Sequence, residues 1–539
     1  MNFKSLLRTL VFFLMAYACV YVYIDLAYLW VKFGKGYNLL NELIYQFEIP
    51  LVVLLASLSF FPRISQHSIR VLVPILPIIV LYILFDGFYN YLGRSPRPSD
   101  FQNASNIFEF SPGIALGLIS IGLLVPTSIG VSIYYARKAY RPQHFKVSLL
   151  VRAGLVVVAI STLMSDAFTE YHEAKFRYTV WSPEWTIREN GRFSSFMYYA
   201  NEERKNRKKL ADFSQNNSGV DLHQALYPGV VVPRNIHIIV MESFIDPRLI
   251  TELKFDRSIL AEELIPFLNT DKDFSRIISP VYGGGTAQAE FELLTGVKAL
   301  SKVNQIEFNV MKGGAINSFI LKLMENNYRQ LSTVASSAGF FNSQQAYLSL
   351  GLNDVAFLED IREEKGLPDL GPLFDGDLFE QNLQQVEQAL ADNDRPLVNY
   401  VLGMYGHLPF TRDEQKRPDI VSVEHKDDRL RRISNQFYYR TKALADYLNK
   451  LTALDPTAII YVTSDHLPSI LTPKTTYSLD DKVNIAIFLD KGKPVDVSGK
   501  YLYEIPWLIW DALSATKIMR QFDEDKMGQL YFKALSESL

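Results

Sequence analysis

The strongest constraint on this chain of 539 residues lies in its first third, where apolar segments follow one another at short intervals. A bilayer-spanning α-helix needs about 20 predominantly apolar residues, and five segments are long enough: 7–29, 39–61, 71–92, 113–135 and 147–164. The first is too long for a cleavable signal peptide, and further apolar segments follow it. We therefore predict a five-span α-helical membrane domain over residues 1–166, an extracytoplasmic linker with helices over 167–232 and a globular domain over 233–539.

The distribution of Lys and Arg at the ends of these segments predicts their orientation, because cytoplasmic loops carry the excess of positive charge. Eight such residues lie at the N-terminus and in the loops after the second and fourth segments, against four in the other two loops. This predicts a multi-pass protein of the cytoplasmic (inner) membrane with a cytoplasmic N-terminus and everything after Met164 outside. A miscounted span would instead place the large domain in the cytosol.

Charged residues within or beside the apolar segments have two interpretations. Asp25, Glu48 and Asp86 lie inside the predicted spans, where an ionisable group is costly and is either functional or held by a structural partner. The loop after the third segment carries Arg94 and Arg97. These arginines either bind an anionic lipid headgroup or are simply solvated.

Composition excludes several classes of protein. A hydrophobic content of 48% and a charged content of 21% exclude disorder. The net charge of −3 gives no indication of nucleic-acid binding. Cys19 is the only cysteine and lies in an apolar segment, which excludes a disulfide framework and a cysteine-ligated zinc site.

After residue 234, short apolar runs alternate with amphipathic helical patterns. The runs predict strands at 236–240, 397–401, 458–462 and 483–489, and the patterns predict helices at 313–326, 377–392 and 434–451. This alternation is typical of an α/β domain with a mostly parallel sheet. Ligands bind at the carboxyl ends of the strands in such sheets.

Polar side chains follow three of these predicted strands. Glu242 comes after the first, His407 follows the second, and Asp465 and His466 come directly after the third. Thr286 follows three glycines and precedes a helical pattern, where backbone N–H groups favour anions. Carboxylate, imidazole and hydroxyl groups together suit Mn²⁺, Mg²⁺ or Zn²⁺, and a bound cation lowers the pKa of a hydroxyl. Taken singly, each has an ordinary structural explanation, such as a polar residue at a strand end or a hydrogen-bonded loop histidine.

These segments resemble the lipoteichoic acid synthase and phosphoglycerol transferase family, in the sulfatase-like branch of the alkaline phosphatase superfamily. The similar segments are 240–244, 283–286 together with 290–296, 405–410 and 464–466. They occur in the family's order, and five spans followed by an exported domain match its layout.

The resemblance implies a fold, a cofactor and a reaction. The exported domain would be a sulfatase-like α/β catalytic domain, in which Glu242, Thr286, Asp465 and His466 hold one divalent metal, commonly Mn²⁺. Thr286 would attack a phosphodiester and carry a covalent phosphoglycerol, while His407 contacts the substrate. The donor would be phosphatidylglycerol and the acceptor an extracytoplasmic glycan or polymer.

The sequence departs from its relatives in ways that leave other functions open. The stretch 335–342 lacks the His, Trp and Arg that some relatives carry there, so the glycerol pocket is not a copy of theirs. Sulfatases use a modified cysteine where this chain has Thr286. The alternatives are a phosphoethanolamine transferase or a phosphodiesterase with the same metal site, a non-catalytic membrane scaffold or sensor, and a transporter with an accessory domain.

Overall fold

The computed structural model divides the chain into two compact units, Met1–Lys205 and Asn206–Leu539. It describes residues 3–27, 48–53, 75–92, scattered residues between 123 and 174, and residues 183–537 except 217–218, 220, 304–305, 367–371, 393–394, 472–474 and 515–519.

The first unit is helical wherever the structure describes regular elements in it. None of the helices among the described residues is both long and apolar enough to cross a bilayer. The second, fourth and fifth predicted spans, and the loop with Arg94 and Arg97, lie wholly or largely outside those residues. The helices of this unit are α1 (Phe3–Ala27), α2 (Leu76–Leu92), α3 (Pro183–Asn190) and the start of α4 (Arg192–Asn216).

Two of the three acidic residues noted in the sequence, Asp86 and Glu48, bind the first residues of α4. Asp86 is fully buried and forms an ion pair of 2.6 Å with the Nε of Arg192. Glu48 accepts hydrogen bonds from the backbone N–H groups of Arg192 and Ser194 at 2.8 and 2.7 Å, and from the Tyr82 hydroxyl. A carboxylate is stabilised at a helix N-terminus by the helix dipole and the free N–H groups. Asp25, in contrast, is exposed.

The second unit is built on one sheet of eight strands. Their order is β2-β7-β6-β1-β5-β3-β4, with β8 paired to β7. The strands are β1 (Ile236–Met241), β2 (Ser275–Ile278), β3 (Arg329–Val334), β4 (Val355–Ala356), β5 (Leu397–Gly403), β6 (Ile459–Ser464), β7 (Val483–Asp490) and β8 (Lys493–Pro494).

The sheet is mixed, so the prediction of a mostly parallel sheet is correct only for part of it. Strands β6, β1, β5, β3 and β4 are parallel to one another, whereas β7 runs antiparallel to β6, and β2 and β8 run antiparallel to β7. A parallel pair needs a crossover connection, usually a helix. The described part of the connection 465–482 contains no helix, and β7 accordingly returns antiparallel.

The predicted helices are found with adjusted ends. The prediction at 377–392 corresponds to α10 and that at 434–451 to α11, but the helix predicted at 313–326 begins only at Phe319. Gly313 has a φ of 90° and Ser318 caps the helix by accepting from the Leu321 N–H. The helices are α5 (Leu222–Leu226), α6 (Thr286–Thr295), α7 (Phe319–Glu325), α8 (Ser343–Leu350), α9 (Leu358–Lys365), α10 (Asp375–Asp392), α11 (Asp428–Leu454), α12 (Ile505–Leu513) and α13 (Glu524–Ser536).

Three neighbouring strands form the centre of the core. Every residue of β1, β5 and β6 is buried, as expected for parallel strands that are covered on both faces. His237 lies in this core, with its Nε2 3.2 Å from Asp455 Oδ2. The register pairs Met241 with both Gly403 and Ser464, which brings the carboxyl ends of the three strands to the same level.

Candidate active site at the carboxyl ends of the strands

The aligned strand ends place two acidic side chains beside each other. Glu242 directly follows β1, and Asp465 and His466 directly follow β6. All three are buried, and each offers one ligand atom within 4.8 Å of the others. His466 Nε2 lies 3.3 Å from Asp465 Oδ2 and 3.6 Å from Glu242 Oε1.

Thr286 is brought to the same point by the glycine-rich turn. It is the first residue of α6, and the three glycines before it all have positive φ, with Gly285 in the left-handed region. Its Oγ1 donates to Asp465 Oδ2 at 2.8 Å and lies 3.1 Å from Glu242 Oε2. The structure therefore brings together all four residues for which a shared metal was predicted.

Hydrogen bonding orients His466 toward the carboxylates. Its Nδ1 lies 3.0 Å from the carbonyl oxygen of Leu467, so this nitrogen carries the proton and donates to that carbonyl. In the neutral imidazole, the lone pair is then on Nε2, which faces Glu242 and Asp465. A histidine ligand is usually fixed by such a bond from its other ring nitrogen.

Burial and mutual charge shift the pKa values of these groups. Burial, followed by repulsion from Glu242, raises the pKa of Asp465 to about 7. Burial also acts to raise the pKa of Glu242, but the attraction of His466 and then of His407 outweighs it and lowers that pKa. Burial acts to lower the pKa of His466, whereas the two carboxylates raise it above the ordinary value.

Two serines within the motifs support the site, although sequence reasoning assigned them no role. Ser243 donates its N–H to Asp465 Oδ1 at 2.8 Å and its hydroxyl to Glu242 Oε1 at 2.7 Å. Ser464 Oγ accepts from the N–H of Phe244 and donates to the carbonyl of His466. In the sequence, only their positions directly beside Glu242 and Asp465 indicated that they could support the site.

A buried carboxyl anchors the helix that begins with Thr286. Glu290 lies one turn further along α6, and the hydroxyls of Tyr347 and Tyr400 donate to its Oε1 at 2.5 and 2.6 Å. Burial raises the pKa of Glu290 to about 7. Because Tyr347 lies in α8 and Tyr400 in β5, this cluster ties α6 to both elements.

His407 occupies a different environment from the four clustered residues. It lies on the exposed turn after β5, with its Nδ1 2.9 Å from the carbonyl oxygen of Leu408. The preceding residue, Gly406, packs against the Glu242 main chain, since a Cβ added to it would lie 2.1 Å from the Glu242 carbonyl oxygen. The turn therefore places an exposed imidazole next to the buried cluster.

The donor set fits a divalent cation. Two carboxylates, a correctly oriented imidazole and a hydroxyl are hard or borderline ligands. Two buried carboxylates this close repel each other, and a cation between them would offset that repulsion. Within the described residues, Glu242, Asp465 and His466 are near enough to share one ion, with Thr286 in contact with both acids.

The fold and this site define the class of protein. The sequence model of the sulfatase family matches residues 234–529, more than half of the chain, and the chain therefore belongs to the sulfatase family. A comparison with curated protein sequences finds no match.

Several solved structures are similar to this chain. The lipoteichoic acid synthase LtaP from Listeria monocytogenes is 16% identical, with 59% of this chain and 81% of that one covered at a TM-score of 0.43. The Streptococcus pyogenes phosphoglycerol transferase GacH, in complex with sn-glycerol-1-phosphate, is 15% identical, with 62% and 92% covered at 0.44. The lipooligosaccharide phosphoethanolamine transferase EptA from Neisseria meningitidis, an integral membrane protein, is 14% identical, with 95% and 99% covered at 0.33.

Proposed function

We propose that this protein is a membrane-anchored, metal-dependent transferase that moves phosphoglycerol from phosphatidylglycerol to an extracytoplasmic glycan or polymer. The observation that carries the proposal is the hydrogen bonding of the Thr286 hydroxyl to two buried carboxylates beside His466. This arrangement is what a hydroxyl nucleophile with an assisting cation requires. The order of the four motifs along the chain supports phosphoglycerol as the transferred group.

The proposal assigns a role to each residue of the site. Glu242, Thr286, Asp465 and His466 would hold one divalent cation, for which we expect Mn²⁺, with Mg²⁺ and Zn²⁺ as alternatives. When bound, such an ion lowers the pKa of a hydroxyl and offsets the charge of a phosphoryl group.

The reaction has two displacement steps. In the first, Thr286 Oγ1 forms a bond to the phosphorus of the lipid phosphodiester, the bond to the diacylglycerol oxygen breaks, and that oxygen takes up the proton that Thr286 releases. The hydroxyl proton of Thr286 points to Asp465 Oδ2, which is placed to accept it. In the second, the oxygen of an acceptor hydroxyl bonds to the phosphorus, the bond between the phosphorus and Thr286 Oγ1 breaks, and the acceptor's proton passes to Thr286.

Two further features of the chain would assist this reaction. The N-terminal N–H groups of α6 favour the negative charge of the phosphoryl group, and the exposed His407 would contact the phosphate or the glycerol. The predicted spans 1–166 and linker 167–232 would hold the domain 233–539 at the membrane. The headgroup of the donor is polar while its tails remain in the bilayer, so the enzyme must work at the interface.

Mass spectrometry of the full-length protein after incubation with phosphatidylglycerol and Mn²⁺ tests the proposal. We expect a phosphoglycerol adduct on Thr286 in the wild type and its loss in Thr286→Ala, Glu242→Ala and Asp465→Ala. Thr295→Ala, which removes a hydroxyl from the other end of α6, is the matched control and should retain the adduct.

Other outcomes would favour the alternatives or reject the mechanism. A phosphoethanolamine adduct formed in competition with phosphatidylethanolamine would favour that transferase. Full biological activity in a Thr286→Ala variant that still binds metal would indicate a scaffold or sensor. An adduct on a different residue of an active preparation would contradict the role of Thr286.

A further inference from the structure

A buried ion pair packs against the segment after β5, next to the candidate site. Neither of its residues belongs to the four sequence segments that form the site. Arg440 of α11 donates its Nε to Asp375 Oδ2, the first residue of α10, at 2.6 Å. The two side chains are 3% and 0% exposed. Breaking such a pair is costly, but a well-packed apolar replacement of both members is often neutral or stabilising. Stability alone is therefore a weak reason for the presence of the pair.

The pair packs directly against the segment that leads from β5 to His407. A Cβ added to Gly406 would lie 2.3 Å from Arg440 Nη1 and 2.1 Å from the carbonyl oxygen of Glu242. A Cβ added to Gly403 would lie 2.6 Å from Asp375 Oδ1. The side of Gly406 on which a side chain would project is thus filled by both the Arg440 guanidinium and the Glu242 carbonyl oxygen, so the backbone before His407 packs closely against both.

The guanidinium also reaches the other two strand ends through Phe244. Its central carbon lies 4.9 Å from the centre of the Phe244 ring, within the range of a cation–π interaction. The N–H of Phe244 donates to Ser464 Oγ, whose hydroxyl donates to the carbonyl of His466. Arg440 therefore contacts, directly or through one residue, the segments that carry Glu242, His407 and His466.

We propose that the Arg440–Asp375 pair is a positioning device that sets the distance between the metal-binding cluster and His407. The planar guanidinium holds its partner in a fixed direction, which a flexible ammonium does not. Asp375 fixes the guanidinium, and the guanidinium supports both Gly406 and Phe244. The part of this inference that concerns His407 rests on the proposed transferase function, whereas the part that concerns the metal does not.

The test replaces the pair by apolar side chains and measures metal binding and turnover separately. The double variant Arg440→Met/Asp375→Leu keeps the volume of the site filled. The matched control is Arg520→Met/Asp511→Leu, which removes a partly buried pair of 3.0 Å, with side-chain exposures of 4% and 14%. Among the described residues, this pair makes no hydrogen bond to the site residues. Each full-length protein is examined by thermal unfolding, by calorimetric titration with Mn²⁺ and by steady-state kinetics with phosphatidylglycerol.

We expect both double variants to unfold close to the wild-type temperature. In Arg440→Met/Asp375→Leu, Mn²⁺ should bind about tenfold to a hundredfold more weakly, as for lost outer-sphere support, and kcat should fall about a hundredfold with a smaller change in KM. The control should match the wild type in both. Arg440→Lys should recover little of the loss, because it lacks the planar group.

Unchanged Mn²⁺ affinity and kcat in a folded Arg440→Met/Asp375→Leu variant would overturn the inference, as would an equal loss in the control. If that variant does not fold, Gly403→Ala decides, because its added methyl would lie 2.6 Å from Asp375 Oδ1 and must displace that side chain without meeting a metal-binding residue. Gly528→Ala, with no atom within 4 Å of the added methyl, is its control. Should the wild type bind Mn²⁺ but not turn over phosphatidylglycerol, the proposed function fails while the titrations still test the pair.

Discussion

Ser243 shows how a single residue can organise the site without belonging to its predicted ligands. Its hydroxyl donates to Glu242 and its N–H donates to Asp465. Replacement by alanine removes the first bond, together with the contact of 3.5 Å between the hydroxyl and His466 Nδ1, and keeps the second bond. We expect Ser243→Ala to weaken Mn²⁺ binding about tenfold or more, the usual effect of losing an outer-sphere partner. Calorimetric titration of the full-length protein measures this.

A serine far from the site provides the control for this prediction. Ser498 donates to Asp496 on an exposed turn, and Ser498→Ala should bind Mn²⁺ like the wild type. An affinity in Ser243→Ala that equals that of the control would show that Glu242 needs no support from the serine.

The buried carboxyl of Glu292 should make the stability of the protein depend on pH. Burial raises its pKa from 4.5 to about 8, and its Oε1 accepts from the N–H of Ala299. Between these two pH values the folded protein keeps a proton that the unfolded chain releases. Stability therefore falls as pH rises through this interval, by about 1.4 kcal/mol for each pH unit. Glu292→Gln keeps the acceptor and cannot ionise.

Thermal unfolding at about pH 5 and about pH 8 tests this sign, because the two conditions lie near the ends of the interval. The difference between the unfolding temperature of Glu292→Gln and that of the wild type should be larger, in favour of the variant, at the higher pH than at the lower pH. A difference that stays constant, or that moves toward the wild type at the higher pH, would contradict a raised pKa.

At the scale of elements, the start of α4 depends on a buried ion pair. Arg192→Ala would leave the buried Asp86 without its positive partner, although the Tyr23 hydroxyl would still donate to it. We expect a loss of about 3–5 kcal/mol in stability. The same helix offers a matched control in Arg204, whose pair with Asp166 is exposed, with side-chain exposures of 50% and 74%. Arg204→Ala should cost about 0–1 kcal/mol.

Thermal unfolding of the purified full-length variants distinguishes the two. Equal unfolding temperatures for Arg192→Ala and Arg204→Ala would show that the pair with Asp86 contributes little. Such a result would leave the two N–H bonds to Glu48 as the main support of this helix end.

At the scale of the whole molecule, the proposed topology can be tested with a single cysteine. Cys19→Ser removes the only native thiol, and Val230→Cys places a new one at a position that is 86% exposed. A membrane-impermeant maleimide should label it in intact cells. His144→Cys, in a predicted cytoplasmic loop, should be labelled only after lysis, and the reverse pattern would place the second unit in the cytosol.

Much of the second unit was predictable because its main elements have strong local signals. Burial determines which positions along an element are apolar, so it is visible in the order of residues. It is seen in the continuous apolar runs of β1, β5, β6 and β7 and in the amphipathic periods of α10 and α11. β2 and β3 carry interspersed polar residues and were missed. The reversed direction of β7 was also invisible, since strand direction depends on the connection and not on the strand.

The sequence by itself determined which chemical groups lie at the strand ends, because Glu242, Asp465 and His466 directly follow buried strands and Thr286 follows a glycine turn. Only the tertiary structure decided that the four converge, since the register of three parallel strands and the start of α6 place residues distant in the chain within hydrogen-bonding reach. It also decided the partners of Glu48 and Asp86 and the contact of Arg440 with the site. These depend on packing between elements, which no local pattern of residues records.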